Sequence, residues 1–310
     1  MIRFEELTKS YGPRCAVRGL SFAVERGEAV ALLGPNGSGK TTTLKCAAGL
    51  VSPSSGRVRI GDPPQKASDP EARRAISYLP QRVSFPDALT GAEALEFYRA
   101  LRRAPRERVP EVLRFASLNG ASDRAVGTYS GGMVQRLGLA VAMLPDAPVL
   151  LLDEPTAALD PDGLCAFYGV VERRRREGHT LLFSSHQLGD VERLADRFVL
   201  LVEGRLAADL TQSELAERLS ARGVMRVRLD RRVPGLLEKL RSLCPAAAWA
   251  GSELILPGPA RDRPRALDVI REAGAEIRGL LSEEGRLDLL YRELVGAGEP
   301  TPVETEEREE

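Results

Sequence analysis

One short motif constrains this chain more than any other stretch. Gly34-Pro-Asn-Gly-Ser-Gly-Lys-Thr-Thr42 follows an apolar run that reads as a strand, Ala29–Leu33. It precedes a run that reads as a helix, Lys40–Leu50. It therefore matches Gly-x-x-x-x-Gly-Lys-Ser/Thr in the strand-to-helix context that a phosphate-binding loop requires. Gly34, Gly37 and Gly39 let the backbone turn its N–H groups inward around an anion, with Pro35, Asn36 and Ser38 between them. The helix that starts at Lys40, Thr41 and Thr42 adds the positive end of its dipole. Lys40 is placed to reach β- and γ-phosphates, and the Thr41 hydroxyl to ligate Mg²⁺. A plain Gly-rich turn would not require Lys-Thr at the helix start.

A second motif supplies acids. Val149-Leu-Leu-Leu-Asp-Glu-Pro155 reads as an apolar strand that ends in two carboxylates. Strands buried on both faces are apolar throughout, and ligands gather at their carboxyl ends. Asp153 is the candidate for holding Mg²⁺, and Glu154 for orienting and deprotonating an attacking water. Alone, the motif would also fit a strand followed by a solvated acidic turn.

Between and after these motifs, up to about residue 212, strand and helix patterns alternate as in α/β proteins. Expected strands are Ile2–Leu7, Leu20–Val24, Arg57–Ile60, Ser77–Leu79, Thr180–Ser184 and the hairpin Arg197–Val202/Arg205–Leu210 around Glu203-Gly204. Expected helices are Gly91–Arg103, Arg106–Leu118, Gly131–Leu144, Asp162–Glu177 and Gln187–Ala195. From residue 213 the composition changes. Strand patterns at Met225–Leu229, Glu253–Leu256 and Glu276–Leu281 alternate with helical ones at Leu236–Leu243, Arg265–Ala273 and Arg286–Val295. The domains read from this are 1–212, an α+β accessory domain 213–297, and an acidic Pro/Thr/Glu-rich tail 298–310 expected to be disordered.

Five further stretches, taken in order, identify a family. Tyr129-Ser-Gly-Gly-Met-Val-Gln-Arg136 resembles the signature sequence of ABC ATPases, usually Leu-Ser-Gly-Gly-Gln. Tyr11 in Ser-Tyr-Gly, Gln81 in Leu-Pro-Gln, Ala158-Leu-Asp160 and His186 in Ser-Ser-His fall where that family places its remaining motifs. The resemblance covers about residues 1 to 210. It implies a P-loop NTPase core with an antiparallel β subdomain and a helical subdomain, working as an ATP hydrolase with Mg²⁺. It also implies roles. Tyr11 stacks on adenine, and Gln81 senses Mg²⁺ and the γ-phosphate. His186 contacts the γ-phosphate, and Asp160 crosses a dimer interface. Ser130, Gly131 and Gly132 bind ATP held by the opposite chain, again at a helix N-terminus. Tyr129 and Met133 depart from the usual Leu and Gln, but Ser130 and both glycines stand. Tyr-Ser-Gly-Gly-Met is similar to the variant of bacterial exporter-type ATPases with separate membrane subunits.

The branch is narrower still. Ile76-Ser-Tyr-Leu-Pro-Gln-Arg-Val-Ser-Phe-Pro-Asp-Ala-Leu-Thr-Gly91 is similar to a stretch of the ATPases for copper-site maturation of nitrous oxide reductase. The ending Leu287-Asp-Leu-Leu-Tyr-Arg292 fits that group and also drug and polysaccharide exporters. Missing Met/His/Cys clusters decide nothing here, because copper need not touch this subunit.

Composition bears on partners. Lys plus Arg and Asp plus Glu number 44 each, so no global field favours nucleic acid, and no nucleic-acid partner is expected. Cys15, Cys46, Cys165 and Cys244 form no Cys-x-x-Cys pair, which indicates reduced, mostly buried thiols. Only two histidines, His179 and His186, argue against a multi-histidine metal site. Neither a leader pattern nor an apolar run near the roughly 20 residues of a membrane span is found. The expected partners are a second ATPase chain, identical or related, and a separate integral membrane permease. The expected place is the cytoplasm, peripheral at the inner face of the membrane. Two other readings stay open: a soluble ABC ATPase acting on DNA or ribosomes, and a regulatory module that binds nucleotide without hydrolysing it. The short interval between Lys40 and Asp153 leaves no room for a long coiled-coil insertion, which opposes the first. Intact Lys40, Asp153, Glu154 and His186 oppose the second.

Overall fold

The computed structural model describes residues 1–118, 120–157, 159–185 and 188–283. The chain divides into two compact units, Met1–Gln212 and Ser213–Glu310.

The first unit opens with a long antiparallel hairpin, β1 (Ile2–Tyr11) and β2 (Arg14–Val24). Both strands run further than their alternation predicts, because the ladder slips register between Phe4 and Leu7, Leu7 and Lys9, and Lys9 and Ser10. Glu6 lies at one slip with φ 49. Bulges of this kind interrupt the period of two on which a strand is read from sequence. After β3 (Ala29–Leu33) the phosphate loop leads into α1 (Lys40–Ala47). β4 (Ser55–Ile60) pairs with β1, and β5 (Gln65–Lys66) adds an edge, giving a sheet ordered β2-β1-β4-β5. α2 (Pro70–Arg74) and β6 (Ile76–Leu79) follow.

A helical excursion comes next. α3 (Gly91–Arg102) starts at a capping box, with Thr90 and Glu93 each bonding the other's backbone N–H. α4 (Arg108–Phe115) and α5 (Gly131–Met143) complete it, and Ser130 caps α5. The chain returns through β7 (Val149–Asp153), α6 (Pro161–Arg176), β8 (Thr180–Ser184), α7 (Leu188–Leu194), β9 (Arg197–Val202) and β10 (Arg205–Thr211). Positive φ at both Glu203 and Gly204 gives the β9–β10 turn the twist a tight hairpin needs.

The second sheet is ordered β10-β9-β3-β8-β7-β6, parallel except for the β10 edge. β3, β7 and β8 are buried at every residue, as strands covered on both faces must be. One apolar core joins the two sheets: Ile2, Phe4 and Val24 pack with Val30, Leu32, Leu44 and Leu151. Because β3, β8 and β7 are adjacent and parallel, the segments leaving their carboxyl ends lie side by side.

The second unit contains α8 (Gln212–Ser220, starting one residue before the division), β11 (Val224–Leu229), α9 (Leu236–Arg241), β12 (Ala248–Ala250), β13 (Glu253–Pro257), α10 (Arg263–Glu272) and β14 (Ile277–Glu283). All pairings are antiparallel, in the order β12-β13-β11-β14. This is a β-α-β-β-α-β ferredoxin-like unit. It has its own core, built from Met225, Val227, Leu236, Leu240, Leu254 and Ile270. The expected helix Arg286–Val295 and the tail 298–310 lie outside the described residues. Cys46 and Cys244 are buried, but Cys165 is exposed on α6, where the sequence suggested mostly buried thiols.

Candidate active site

The phosphate loop is shaped by what its glycines exclude. A side chain at Gly34, at φ 149, would overlap the Leu201 carbonyl and the Ser38 hydroxyl. At Gly39, φ 104, a Cβ would sit 2.6 Å from the Ala16 carbonyl oxygen. Only glycine lets the loop pass between its neighbours. Lys40 Nζ donates to Gly34 O at 2.6 Å and to Pro35 O at 3.1 Å, so the lysine spans the loop it follows. Burial pushes the Lys40 pKa down, and the charges of Glu154 and Asp153 oppose that shift.

A cleft of about 540 Å³ opens over this loop. Its lining includes loop residues Asn36, Gly37, Ser38, Gly39, Lys40, Thr41 and Thr42, together with Tyr11, Gln81 and Glu154. Tyr11, at the end of β1, is 47 % exposed, with Lys9 Nζ 5.0 Å from its ring centroid. Two lining residues were not foreseen, Arg14 and Ala16. Arg14 enters because the hairpin register pairs it with Tyr11, and that register is not readable from either residue alone.

Asp153 is fully buried at the end of β7. Its Oδ1 accepts from Ser184 Oγ at 2.6 Å, while Oδ2 has no hydrogen-bond partner among the described residues. Burial raises its pKa; the Ser184 and Thr41 hydroxyls and Lys40 pull it back, and Glu154 adds to the rise. A buried, open carboxylate oxygen beside a threonine hydroxyl is an oxygen-only donor set, which fits a hard divalent cation such as Mg²⁺. Glu154 follows at φ 49, a left-handed conformation that costs a residue with a Cβ about 1–2 kcal/mol.

The structure does not bring all the sequence candidates together. Ser130, Gly131 and Gly132 open α5 and do not line the cleft. Ser130 is exposed and accepts the Met133 N–H at 3.3 Å. Asp160 caps α6 by accepting from Gly163 N at 2.8 Å and pairs with Arg136 at 3.3 Å. His186 and Ala158 lie outside the described residues. The unusual Tyr129 is accommodated: its hydroxyl donates to Ala121 O at 2.7 Å, in space that a side chain at Gly91 would fill.

A second buried carboxylate has no signal in the sequence. Asp190 of α7 is 2 % exposed and accepts from Thr156 Oγ1 (2.5 Å), Tyr168 OH (2.5 Å) and Ser185 Oγ (3.0 Å). Those donors come from three segments, so no local pattern marks it. Asp190→Ala should remove the acceptor of all three hydroxyls. We expect a loss of about 2 kcal/mol or more in urea denaturation followed by circular dichroism. A loss under about 0.5 kcal/mol would mean the cluster is not coupled.

A family model described as ABC transporter matches residues 17–157. An uncharacterized ABC transporter ATP-binding protein of Bacillus subtilis (strain 168) is 40% identical over 243 residues, covering 77% of this chain and 80% of that one. The linearmycin resistance ATP-binding protein of the same organism is 30% identical over 306 residues, covering 96% of this chain and 98% of its own length. Among solved structures, a dimeric bacterial ABC transporter cassette superposes with a TM-score of 0.63 at 26% identity, over 68% of this chain and 99% of that one. Sequence shared across so much of both lengths means that the chain belongs to the ABC transporter family, as an ATP-binding and ATP-hydrolysing subunit.

Proposed function

We propose that this chain drives export through a separate membrane-spanning subunit, using ATP sites shared between two ATPase chains. One observation carries the reading. The start of α5 does not line the cleft formed by the loop at residues 34–42. A second chain, identical or related, would supply its own Ser130, Gly131 and Gly132 to cap the γ-phosphate, and its Asp160 near the interface. The exposed N-terminus of α5 is suited to that contact.

Within each cleft, Lys40 and the loop N–H groups hold the β- and γ-phosphates. Thr41 and Asp153, with Gln81 nearby, would hold Mg²⁺, which when bound neutralises charge on the transferring phosphoryl group. Glu154 takes the proton of the attacking water. His186, which lies outside the described residues, keeps the γ-phosphate contact that the family resemblance implies.

No helix among the described residues is long and apolar enough to cross a membrane, in keeping with a pore made by another polypeptide. The chain would then sit at the inner face of the membrane through that permease. The linearmycin resistance relative favours drug-type export over copper-site maturation as the substrate class. The test is co-expression with candidate membrane subunits, followed by fractionation and ATPase assay of the copurified complex. Membrane association that depends on the partner supports the reading, and tight association without any partner overturns it.

The nucleotide end of the cleft can be tested separately. Tyr11→Ala should raise the KM for ATP roughly tenfold, as expected for one lost base stack, while lowering kcat far less, because stacking is remote from the transferred group. Tyr11→Phe and Tyr11→Trp keep an aromatic face and should stay near wild type. Equal losses in all three would point to a hydroxyl contact or a folding role.

A further inference from the structure

The left-handed turn at Glu154 needs an explanation, because such conformations persist only where neighbours over-determine them. Two anchors do so here. On one side Ser184, fully buried at the end of β8, stands opposite Asp153 in the parallel ladder. Its hydroxyl donates to Asp153 Oδ1 at 2.6 Å and accepts the Glu154 N–H at 2.9 Å. On the other side Thr156 is tied to buried Asp190, which also holds Ser185. The chain from 153 to 156 is thus pinned at one end to the last residue of β8 and at the other to α7.

The Ser184 bond is the more specific of the two. A hydroxyl has one proton and two lone pairs. Its proton is committed to Asp153 Oδ1, which leaves Oδ2 as the unbonded oxygen. A lone pair is committed to the Glu154 amide, which fixes the peptide plane that carries the Glu154 side chain. One side chain therefore sets the geometry of both acids. The motif that contributes both acids, Val149–Pro155, does not contain it.

We propose that Ser184 is a positioning residue for ATP hydrolysis, which holds Glu154 at the angle where its carboxylate faces the cleft and keeps Asp153 Oδ2 open. The proposal rests on Glu154 as the group that takes the water's proton. Small misplacement of a reacting group lowers turnover strongly while binding elsewhere on the substrate is spared. A merely structural Ser184 would instead affect stability and leave turnover per folded molecule unchanged.

The experiment compares Ser184→Ala, Ser184→Thr, Ser184→Cys and Glu154→Gln in the full chain. Each is assayed for kcat and KM, for affinity toward a fluorescent ATP analogue, and for thermal midpoint. Ser184→Ala should lose about tenfold or more in kcat, with KM and analogue affinity within about twofold of wild type. Ser184→Thr keeps the hydroxyl and suits a strand, and should return kcat to within about threefold of wild type. Ser184→Cys keeps the size but is a weak hydrogen-bonding group, and should resemble Ser184→Ala. A Ser184→Ala kcat within about twofold of wild type, measured below its thermal midpoint, overturns the proposal. If Ser184→Ala does not fold, equal kcat in the Thr and Cys variants overturns it. Glu154→Gln separates the two ideas. Normal turnover there removes the role of Glu154, whereas a dead Glu154→Gln beside a fully active Ser184→Ala removes only the role of Ser184.

Discussion

Glu154→Gln is expected to bind ATP as the wild type does and to lose turnover by a factor of about 10²–10⁴, the usual contribution of a positioned general base. The amide nearly matches the carboxylate in shape, so the cleft and its left-handed turn should survive. What the amide lacks is a group that can accept the proton of the attacking water. Binding without hydrolysis should trap two chains around ATP. The expected signature is a dimer on size-exclusion chromatography that appears with ATP, persists, and is absent with ADP. Phosphate release measures the rest. If the variant hydrolyses ATP within about threefold of wild type, a barrier change of only about 0.6 kcal/mol, another group takes the proton.

Ser130→Arg tests the shared site and should have an effect as large. Ser130 is exposed at the N-terminus of α5, and no acid in the first turn offsets the positive helix end. In the proposed dimer this end meets the γ-phosphate held by the other chain. Arginine there adds bulk where the phosphate must approach closely. It also removes the cap that accepts the Met133 N–H, a loss of about 1 kcal/mol that the rest of α5 can absorb. Nucleotide binding to the monomer should be unchanged, while ATP-driven dimerisation and hydrolysis fall to background. Lys40→Ala should instead weaken binding itself, since the phosphates lose their main side-chain partner. Mixing the two variants makes a heterodimer with one intact site and one doubly damaged site. Independent sites would recover part of the hydrolysis, and strictly coupled sites would not. Normal hydrolysis by Ser130→Arg alone sinks the shared-site model.

The sequence was informative where chemistry is contiguous along the chain. The loop at 34–42 and the acids at 153 and 154 each stand at the end of a buried strand whose apolar run announces it, and the structure places those strands, β3 and β7, on either side of β8 in one sheet. Elements with long periodic runs, such as α3 and α6, could likewise be read within a residue or two. The rest depends on pairings between distant residues. Ser184 matters because the ladder sets it opposite Asp153, and Arg14 because a bulged hairpin sets it opposite Tyr11. Asp190 gathers hydroxyls from residues 156, 168 and 185. β5 and β12, of two and three residues, are too short for any period to show. In the second unit the alternation of strand and helix was visible, but the strand order was not, because it is fixed by contacts among four short strands.

The fit between Tyr129 and Gly91 bears on how such subunits can be recombined. The phenol hydroxyl reaches the Ala121 carbonyl through space that any side chain at position 91 would occupy. The two positions lie on different helices' leading ends, with a long stretch of chain between them. A hybrid gene that joins the α5 segment of this chain to the α3 segment of a relative must therefore inherit both residues from one parent. Tyrosine against a bulkier residue would collide, and leucine against glycine would leave a void and only the Arg124 N–H on the Ala121 carbonyl. Crossover points placed between residues 91 and 129 should for that reason give fewer active hybrids than crossovers on either side.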